Sequence, residues 1–324
     1  MRAADSATTV GSPGPQLIGV DVGGTALKLG RFDSQGRLLA QLVVATPRPS
    51  VPGAVAVALA EAIDHLDPER LAGGVGIGVP GPTDAAGRVA RLAINLEDWR
   101  AVPLADWLEP ELERPVCLAN DANCAMVAEA WLGAAQGCAN AILLTLGTGV
   151  GGGIWLNGSL YSGPRGAAGE LGLISVDPEG PPCRSGNRGS LEQHCSIGGL
   201  ARLSPLAPRE LDQRAQAGDG EALAVWERYG RWLGIGLSSL IYVLTPERVL
   251  LGGGLSASCP HFLPAVWREI EARVLPPSRE GLVIQRCALG NGAGRLGAAR
   301  LALDRLARAG SERGPFPTPA QSSP

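Results

Sequence analysis

Lysine is nearly missing from this chain: Lys28 stands alone against many arginines. A formal net charge of −3 and a pI near 5.7 leave no basic face for a general nucleic-acid partner. Any phosphate must therefore be held by local devices such as backbone amides, helix N-termini and a metal. Histidine is scarce as well, and His65, His194 and His261 show no spacing that suggests a triad or a metal pair, so no nucleophile system is evident. No apolar run approaches the ~20 residues of a membrane span. The opening MRAADSATTVGSPGPQ lacks the basic-then-apolar plan of a secretion signal, which predicts a disordered leader and a cytoplasmic protein without a membrane partner. Seven cysteines, an odd number scattered along the chain, point to reduced thiols rather than a disulfide framework.

Glycine and apolar side chains are abundant: 46 glycines and an apolar fraction of 45% in 324 residues, enough for two ordinary domains or one large one. The glycine is concentrated where it has consequences. Residues 143–153 read LLTLGTGVGGG, an apolar run turning into a tract of five glycines with Thr145 and Thr148 among them. Amide N–H groups and hydroxyls left open to an anion are the means by which such loops cradle phosphate. A tract of the same design, LIGVDVGG at 17–24 followed by Thr25, opens the chain, and Asn120-Asp121 lies between the two.

Alternating apolar residues over 17–33 predict two strands joined through Gly23-Gly24, and Gln35-Gly36 turns the chain into a third over 38–46. Prolines 47, 49 and 52 stop that strand, and 54–65 predicts an apolar-periodic helix. GVGIGV at 74–79 predicts a short buried strand ending in a rigid turn at 80–84. An irregular segment over 92–99 carries Asn95, a short helix follows over 104–112, and a strand over 116–119 delivers Asn120-Asp121 to a helix reaching about 135. Residues 143–156 predict a hairpin with Asn157-Gly158 as its turn. The stretch 163–199 reads as loop. Helices around 221–243, 261–274 and 294–306, with a strand over 248–251 entering Gly252-Gly253-Gly254, complete the chain, and 310–324 is an expected disordered tail. The order strand, strand, strand, helix, strand, helix thus occurs in both halves, each headed by a glycine hairpin.

Asp21 ends an apolar strand just before Gly23 and Gly24. A carboxylate is costly to bury unpaired, so it reads as the holder of a hydrated magnesium on a nucleotide phosphate, or else as a turn-capping aspartate. Asp121 begins a helix whose partial positive charge favours the ionised form. It reads as a general base taking the proton of a substrate hydroxyl as that oxygen attacks phosphorus, or else as a helix cap. Glu170 in AAGELG and Glu192 in GSLEQH lie in the irregular region. Paired carboxylates on loops suit the vicinal hydroxyls of a sugar, the alternative being two solvated glutamates. Gly252-Gly253-Gly254 lets a flat adenine or ribose approach the backbone, or is a plain turn.

Taken together these residues resemble the ROK family of sugar kinases and repressors, within the actin-like, sugar-kinase and heat-shock ATPase superfamily, from about residue 17 to 303. VDVGGT and LTLGTGVGGG are similar to its two phosphate motifs, GVPGPTD and Asn95-Leu96 to its sugar-side segments, and LANDAN to its catalytic aspartate motif. AAGELG with GSLEQ resembles its signature region, and LLGGGLS its adenosine motif. The resemblance implies an α/β fold of two actin-like (ribonuclease H-like) domains, each with a mixed sheet flanked by helices, and an active site in the cleft between. The implied division is a leader at 1–16, a smaller N-terminal domain at 17–119 to which a final helix at about 294–308 returns, a larger domain at 120–293, and a tail at 310–324. It implies Asp121 as base for a sugar 6-hydroxyl and Gly81, Asn95, Asn120, Glu170 and Glu192 as holders of sugar hydroxyls. Asp21, Gly23, Gly24, Thr25, Thr148, Gly149 and Gly253 would face the nucleotide, with Asp21 reaching Mg2+ through water.

The implied activity is phosphorylation of a hexose by Mg2+-ATP, foremost glucose to glucose 6-phosphate, by a homodimer. Mannose, fructose or N-acetyl sugars as acceptor and polyphosphate as donor stay open. A non-catalytic sugar sensor and a repressor are the remaining alternatives, although only about sixteen residues precede the first strand, too few for an added DNA-binding domain. The chain departs from the family at its structural zinc site: where the family has one histidine and three cysteines, it reads Leu173, Cys183, Ser185 and Ser190, keeping one cysteine. One soft ligand in four cannot hold zinc, so no structural zinc is expected; Cys183, His194 and Cys195 are the substitute donors to consider. The absent histidine also implies one fewer hydrogen bond near the sugar 1- and 2-hydroxyls, worth about 0.5–1.5 kcal/mol.

Overall fold

The alternation of apolar residues is realised as two sheets with the same strand order. The computed structural model describes residues 14–93 and 95–312, with side chains to 308. The first sheet is built from β1 (Gln16–Val22), β2 (Ala26–Phe32) and β3 (Leu38–Ala45). After helix α1 (Pro52–Leu66) come β4 (Ala72–Val79), the short pair β5 (Ala90–Leu92) and β6 (Arg100–Val102), helix α2 (Leu104–Leu112), β7 (Val116–Asn120) and helix α3 (Asp121–Leu132). Its order is β3-β2-β1-β4-β7, with β1, β2 and β3 antiparallel and β1, β4 and β7 parallel.

The second sheet repeats this with β8 (Ala141–Leu146), β9 (Val150–Leu156) and β10 (Ser159–Leu160). Helices α4 (Leu191–Cys195), α5 (Ile197–Ala201), α6 (Pro208–Gln216) and α7 (Gly220–Leu244) lead to β11 (Arg248–Gly252), then α8 (Cys259–Arg273), β12 (Val283–Arg286) and α9 (Ala293–Glu312). The order is β10-β9-β8-β11-β12. Each sheet is mixed, as expected of the α/β class.

Several expectations shift. The hairpin turn joining β8 to β9 is Gly147-Thr148-Gly149, whereas Asn157-Gly158, with φ of 50° and 73°, turns β9 into β10. The supposed loop 163–199 contains α4 and the start of α5, one-turn helices too short to leave a periodic signal. Strand β12 and helix α6 have no counterpart in the sequence reading. The expected leader and tail fall mostly outside the described residues, but Gln16 opens β1 and α9 runs on to Glu312, past the expected tail start at 310.

Amphipathic patterning fixes what each sheet buries. In α1, Val55, Leu59, Ala62, Ile63 and Leu66 form one stripe against a core with Ile18, Val20, Leu27, Leu29 and Ile77. The opposite face of the first sheet carries α9, and α3 lies between α9 and the second sheet, touching β8 and β9. This packing is close because glycine faces backbone. A Cβ on Gly19 would overlap the Arg295 carbonyl, one on Gly76 the Ala298 carbonyl, and one on Gly297 the Cys124 carbonyl of α3. Gly297→Ala, which forces α3 and α9 apart by part of a methyl diameter, is expected to cost about 1–3 kcal/mol in urea unfolding. An unchanged urea midpoint would show that the two helices can separate freely.

Candidate active site

The parallel strands deliver their C-terminal ends to one cavity of about 610 Å3. Pairing of β8 with β11 sets Thr145 beside Gly252, so the turn Gly147-Thr148-Gly149 and Gly253 meet at its rim. Gly253 has a φ of 78°, and a Cβ there would overlap the Leu146 carbonyl, so both conformation and space call for glycine. The turn is closed by Gly147 N–H donating to the Gly149 carbonyl at 3.0 Å and is tied to α5 by Ile197 N–H donating to the Gly147 carbonyl at 2.8 Å. Among the described residues nothing stands within 4 Å of a Cβ built on Gly147, so the turn is open there, whereas a Cβ on Gly149 would meet the Glu192 carboxylate.

Of the other three glycines of the tract, Gly151 still lines the cavity, whereas Gly152 and Gly153 serve packing, a difference from the sequence reading. Gly151, Gly152 and Gly153 are ladder residues of β9 opposite Thr145, Leu144 and Leu143. A Cβ on Gly152 would overlap the Gly169 carbonyl, and one on Gly153 would meet Met126 of α3. The bare strand thus lets α3 and the segment carrying Glu170 approach the second sheet.

Asp121 is the first residue of α3, directly after β7. Asn120 caps the helix, its side-chain oxygen accepting from Ala122 N–H at 2.9 Å and Asn123 N–H at 3.1 Å. Its amide donates to the Gly81 carbonyl at 3.3 Å, joining the turn after β4 to the head of α3. Both Asn120 and Asp121 line the cavity with Gly81, Asn95, Glu170 and Glu192. Burial, then the nearby charges of Asp21 and Glu170, push the Asp121 carboxyl up to about 6, against the pull of Ala122 N–H. Burial, and after it Glu192, raises Glu170. Glu192 accepts from Val150 N–H at 3.0 Å, so one of its oxygens also braces the glycine turn.

The structure brings Gly81, Asn95, Asn120, Asp121, Thr148, Gly149, Glu170, Glu192 and Gly253 to this cavity, while Asp21, Gly23, Gly24 and Thr25 stand outside its lining. Asp21 is nevertheless close enough to act on Asp121, and a Cβ on Gly24 would come within 3.4 Å of the Asn95 carbonyl. Burial raises the Asp21 carboxyl, with Lys28 and Arg295 pulling it down. Lys28 faces Asp21 across the β1–β2 ladder, Nζ to Oδ2 3.6 Å. Sequence reasoning missed Arg184 and Arg202 in the cavity lining, together with Gln193 of α4, Ser196 between the helices and Gly198 of α5. Only the density of arginine and serine after residue 183 hinted at them.

Zinc does not fit the residues at the family's zinc positions. Among the described residues no group of three or more His, Cys, Asp or Glu side chains could hold a metal. His194 stacks on Trp232 with ring centroids 4.0 Å apart, and the Cys195 thiol points to the Tyr229 carbonyl at 3.9 Å, so these two do not join Cys183 in a site. The seven cysteines are unpaired.

The chain is similar over most of its length to known sugar kinases. The chain is 34% identical over 310 residues to a glucokinase of Halalkalibacterium halodurans, covering 86% of this chain and 92% of that one. It superposes on a ROK family glucokinase from Streptomyces griseus in complex with glucose and AMPPNP with a TM-score of 0.77 at 32% identity, over 89% of this chain and 99% of that one. A ROK hexokinase from Thermus thermophilus matches with a TM-score of 0.78 at 37% identity, over 90% and 99% of the two chains. The ROK family profile matches residues 17–305, nearly the whole of the described structure, and the chain belongs to that family.

Proposed function

We infer that the protein is a hexokinase that transfers the terminal phosphoryl group of ATP to the 6-hydroxyl of a hexose, with glucose as the principal acceptor. The observation that carries this reading is Asp121: a carboxylate at a helix N-terminus, in a cavity shared with Glu170, Glu192 and an open glycine turn, with its pKa raised to about 6. Such a group is ionised at neutral pH yet basic enough to take a proton as the hydroxyl attacks phosphorus.

The remaining residues position the partners. Glu170, Glu192, Asn95 and Asn120 accept from and donate to the sugar hydroxyls, fixing the 6-oxygen near Asp121. The amides of Thr148 and Gly149 and the Gly253 backbone face the nucleotide, whose charge they help to offset. Asp21, a carboxylate with only Lys28 as ion-pair partner among the described residues, suits a hydrated Mg2+, which when bound supplies charge neutralisation for the phosphates. Two lobes, 17–119 with α9 and 120–293, closing on the cavity would exclude water from the transfer. Homodimeric assembly and cytoplasmic residence belong to the same reading and rest on the family resemblance; no helix among the described residues is long and apolar enough to cross a membrane.

The test is ADP release from ATP and Mg2+ across glucose, mannose, fructose and N-acetylglucosamine, with polyphosphate as an alternative donor. The fastest release is expected with glucose and ATP. If no hexose raises ADP release above the hydrolysis background, the kinase reading fails.

A further inference from the structure

One part of the cavity is lined by Leu173, Cys183, Arg184 and Ser185. These residues belong to an irregular stretch whose ladder contacts between 174 and 190 are isolated bridges, Ser175 with Ser190 and Pro182 with Arg188. Backbone of this kind keeps a shape only if its polar groups find partners elsewhere.

Asn187 makes four such ties, while the Gly189 backbone joins Val176, Asp177 and Pro181. Its side-chain amide donates to the Leu173 carbonyl at 2.7 Å. Its side-chain oxygen accepts from Ser175 Oγ at 2.9 Å and from Arg188 N–H at 2.7 Å. Its own carbonyl accepts from Cys183 N–H at 2.7 Å, and Ser185 Oγ donates to the Cys183 thiol at 3.3 Å. Leu173 N–H in turn donates to the Glu170 carbonyl at 3.0 Å, so the ties run from the Cys183 turn through Asn187 to the residue carrying a cavity carboxylate.

We propose that Asn187 is a positioning residue for the acceptor sugar: it clamps the Cys183–Ser185 turn to Leu173 and so holds Glu170 and the adjoining wall at the spacing the hexose requires. This rests on the reading of the cavity as a hexose site. Every tie is a side-chain or backbone hydrogen bond, so the clamp needs no metal. It acts on the acceptor and leaves the nucleotide turn, which is braced separately by Glu192 and α5, unaffected.

The experiment is hydrogen exchange of the peptides spanning 173–190, measured with and without EDTA, beside steady-state kinetics of the full chain. In Asn187→Ala the exchange of this stretch is expected to quicken about tenfold with other peptides unchanged. The KM for hexose should rise about 3- to 10-fold, while kcat and the KM for ATP stay within about twofold, since the three side-chain hydrogen bonds lost act on the sugar only through the wall they hold. Ser175→Ala, which removes one of the ties to Asn187 and a longer one to the Arg188 carbonyl, should shift both readouts the same way by less, and serves if Asn187→Ala does not fold. Unchanged exchange in the variants, an unchanged hexose KM, or wild-type exchange that quickens in EDTA would overturn the proposal. Should the wild type turn over no hexose at all, the kinase reading falls and the exchange measurement decides the clamp alone.

Discussion

Asp121→Asn is expected to lower kcat with hexose and ATP by about 10²- to 10⁴-fold and at the same time to make the protein more stable at pH 7. The loss follows from removing the group that takes the hydroxyl proton while leaving its shape and the Asn120 cap in place. The gain follows from linkage. The carboxyl is raised from an ordinary 3.8 to about 6 in the folded state, so its ionised form is disfavoured by the fold. That penalty is absent below about pH 4, grows as the pH rises toward 6 and is complete at neutrality. Because Asp121 is only partly shielded from solvent, the expected stabilisation is about 1–2 kcal/mol at pH 7, vanishing below pH 4. The same protonation sets the pH profile of the wild type: kcat/KM should fall about tenfold per unit below pH 6. Near-normal turnover in the variant, or a profile without the acidic limb, would remove Asp121 from the role of base.

Glu129→Ala is expected to cost about 3–5 kcal/mol of stability, seen as a lower urea midpoint with an unchanged m value. Glu129 lies on α3, two turns beyond Asp121, and is fully buried. Its oxygens accept from Ala134 N–H at 2.7 Å, Ala288 N–H at 3.1 Å and Leu289 N–H at 2.9 Å. Truncation leaves those donors without their acceptor and opens a cavity beside Gly133, where any side chain would meet the carboxylate. The three amides belong to the end of α3 and to the chain entering α9, so the carboxylate joins the two helices that lie between the sheets. Glu129→Gln, which keeps one acceptor oxygen, should lose less. A midpoint within about 0.5 kcal/mol of wild type for Glu129→Ala would show that water or a local shift satisfies the amides.

Glu129 also marks the limit of sequence reading. It stands in a helix that was expected, DANCAMVAEAWL, yet nothing local shows that a glutamate among apolar residues faces backbone amides more than 150 residues away. Asp121 was legible because its position is set by neighbours in sequence, a buried strand before it and a capped helix after it. The glycine tract was legible as a turn, but not the division of labour within it: whether a glycine serves an anion or a close approach depends on what packs against it. The hairpin turn was misplaced for a related reason, since Asn157-Gly158 carries the stronger local signal while Gly147-Thr148-Gly149 takes its shape from the strands around it. Helix α6 escaped notice because it buries only Leu211 and Ala215, too few apolar positions for a period to show. Strand β12 is VIQR, four residues whose partner, β11, lies more than thirty positions earlier.

The pair Lys28–Asp21 has a practical side. Apart from the terminal amine, Lys28 is the only primary amine the chain offers, and its side chain is 43% exposed. A reagent that acylates amines therefore modifies the folded chain at a single internal address. Coupling to a surface through that amine would orient all molecules alike, with the end of β1 toward the support. The neutral amide so formed would strip Asp21 of its counter-charge, so a probe attached there would alter the electrostatics beside the cavity as well as report on them.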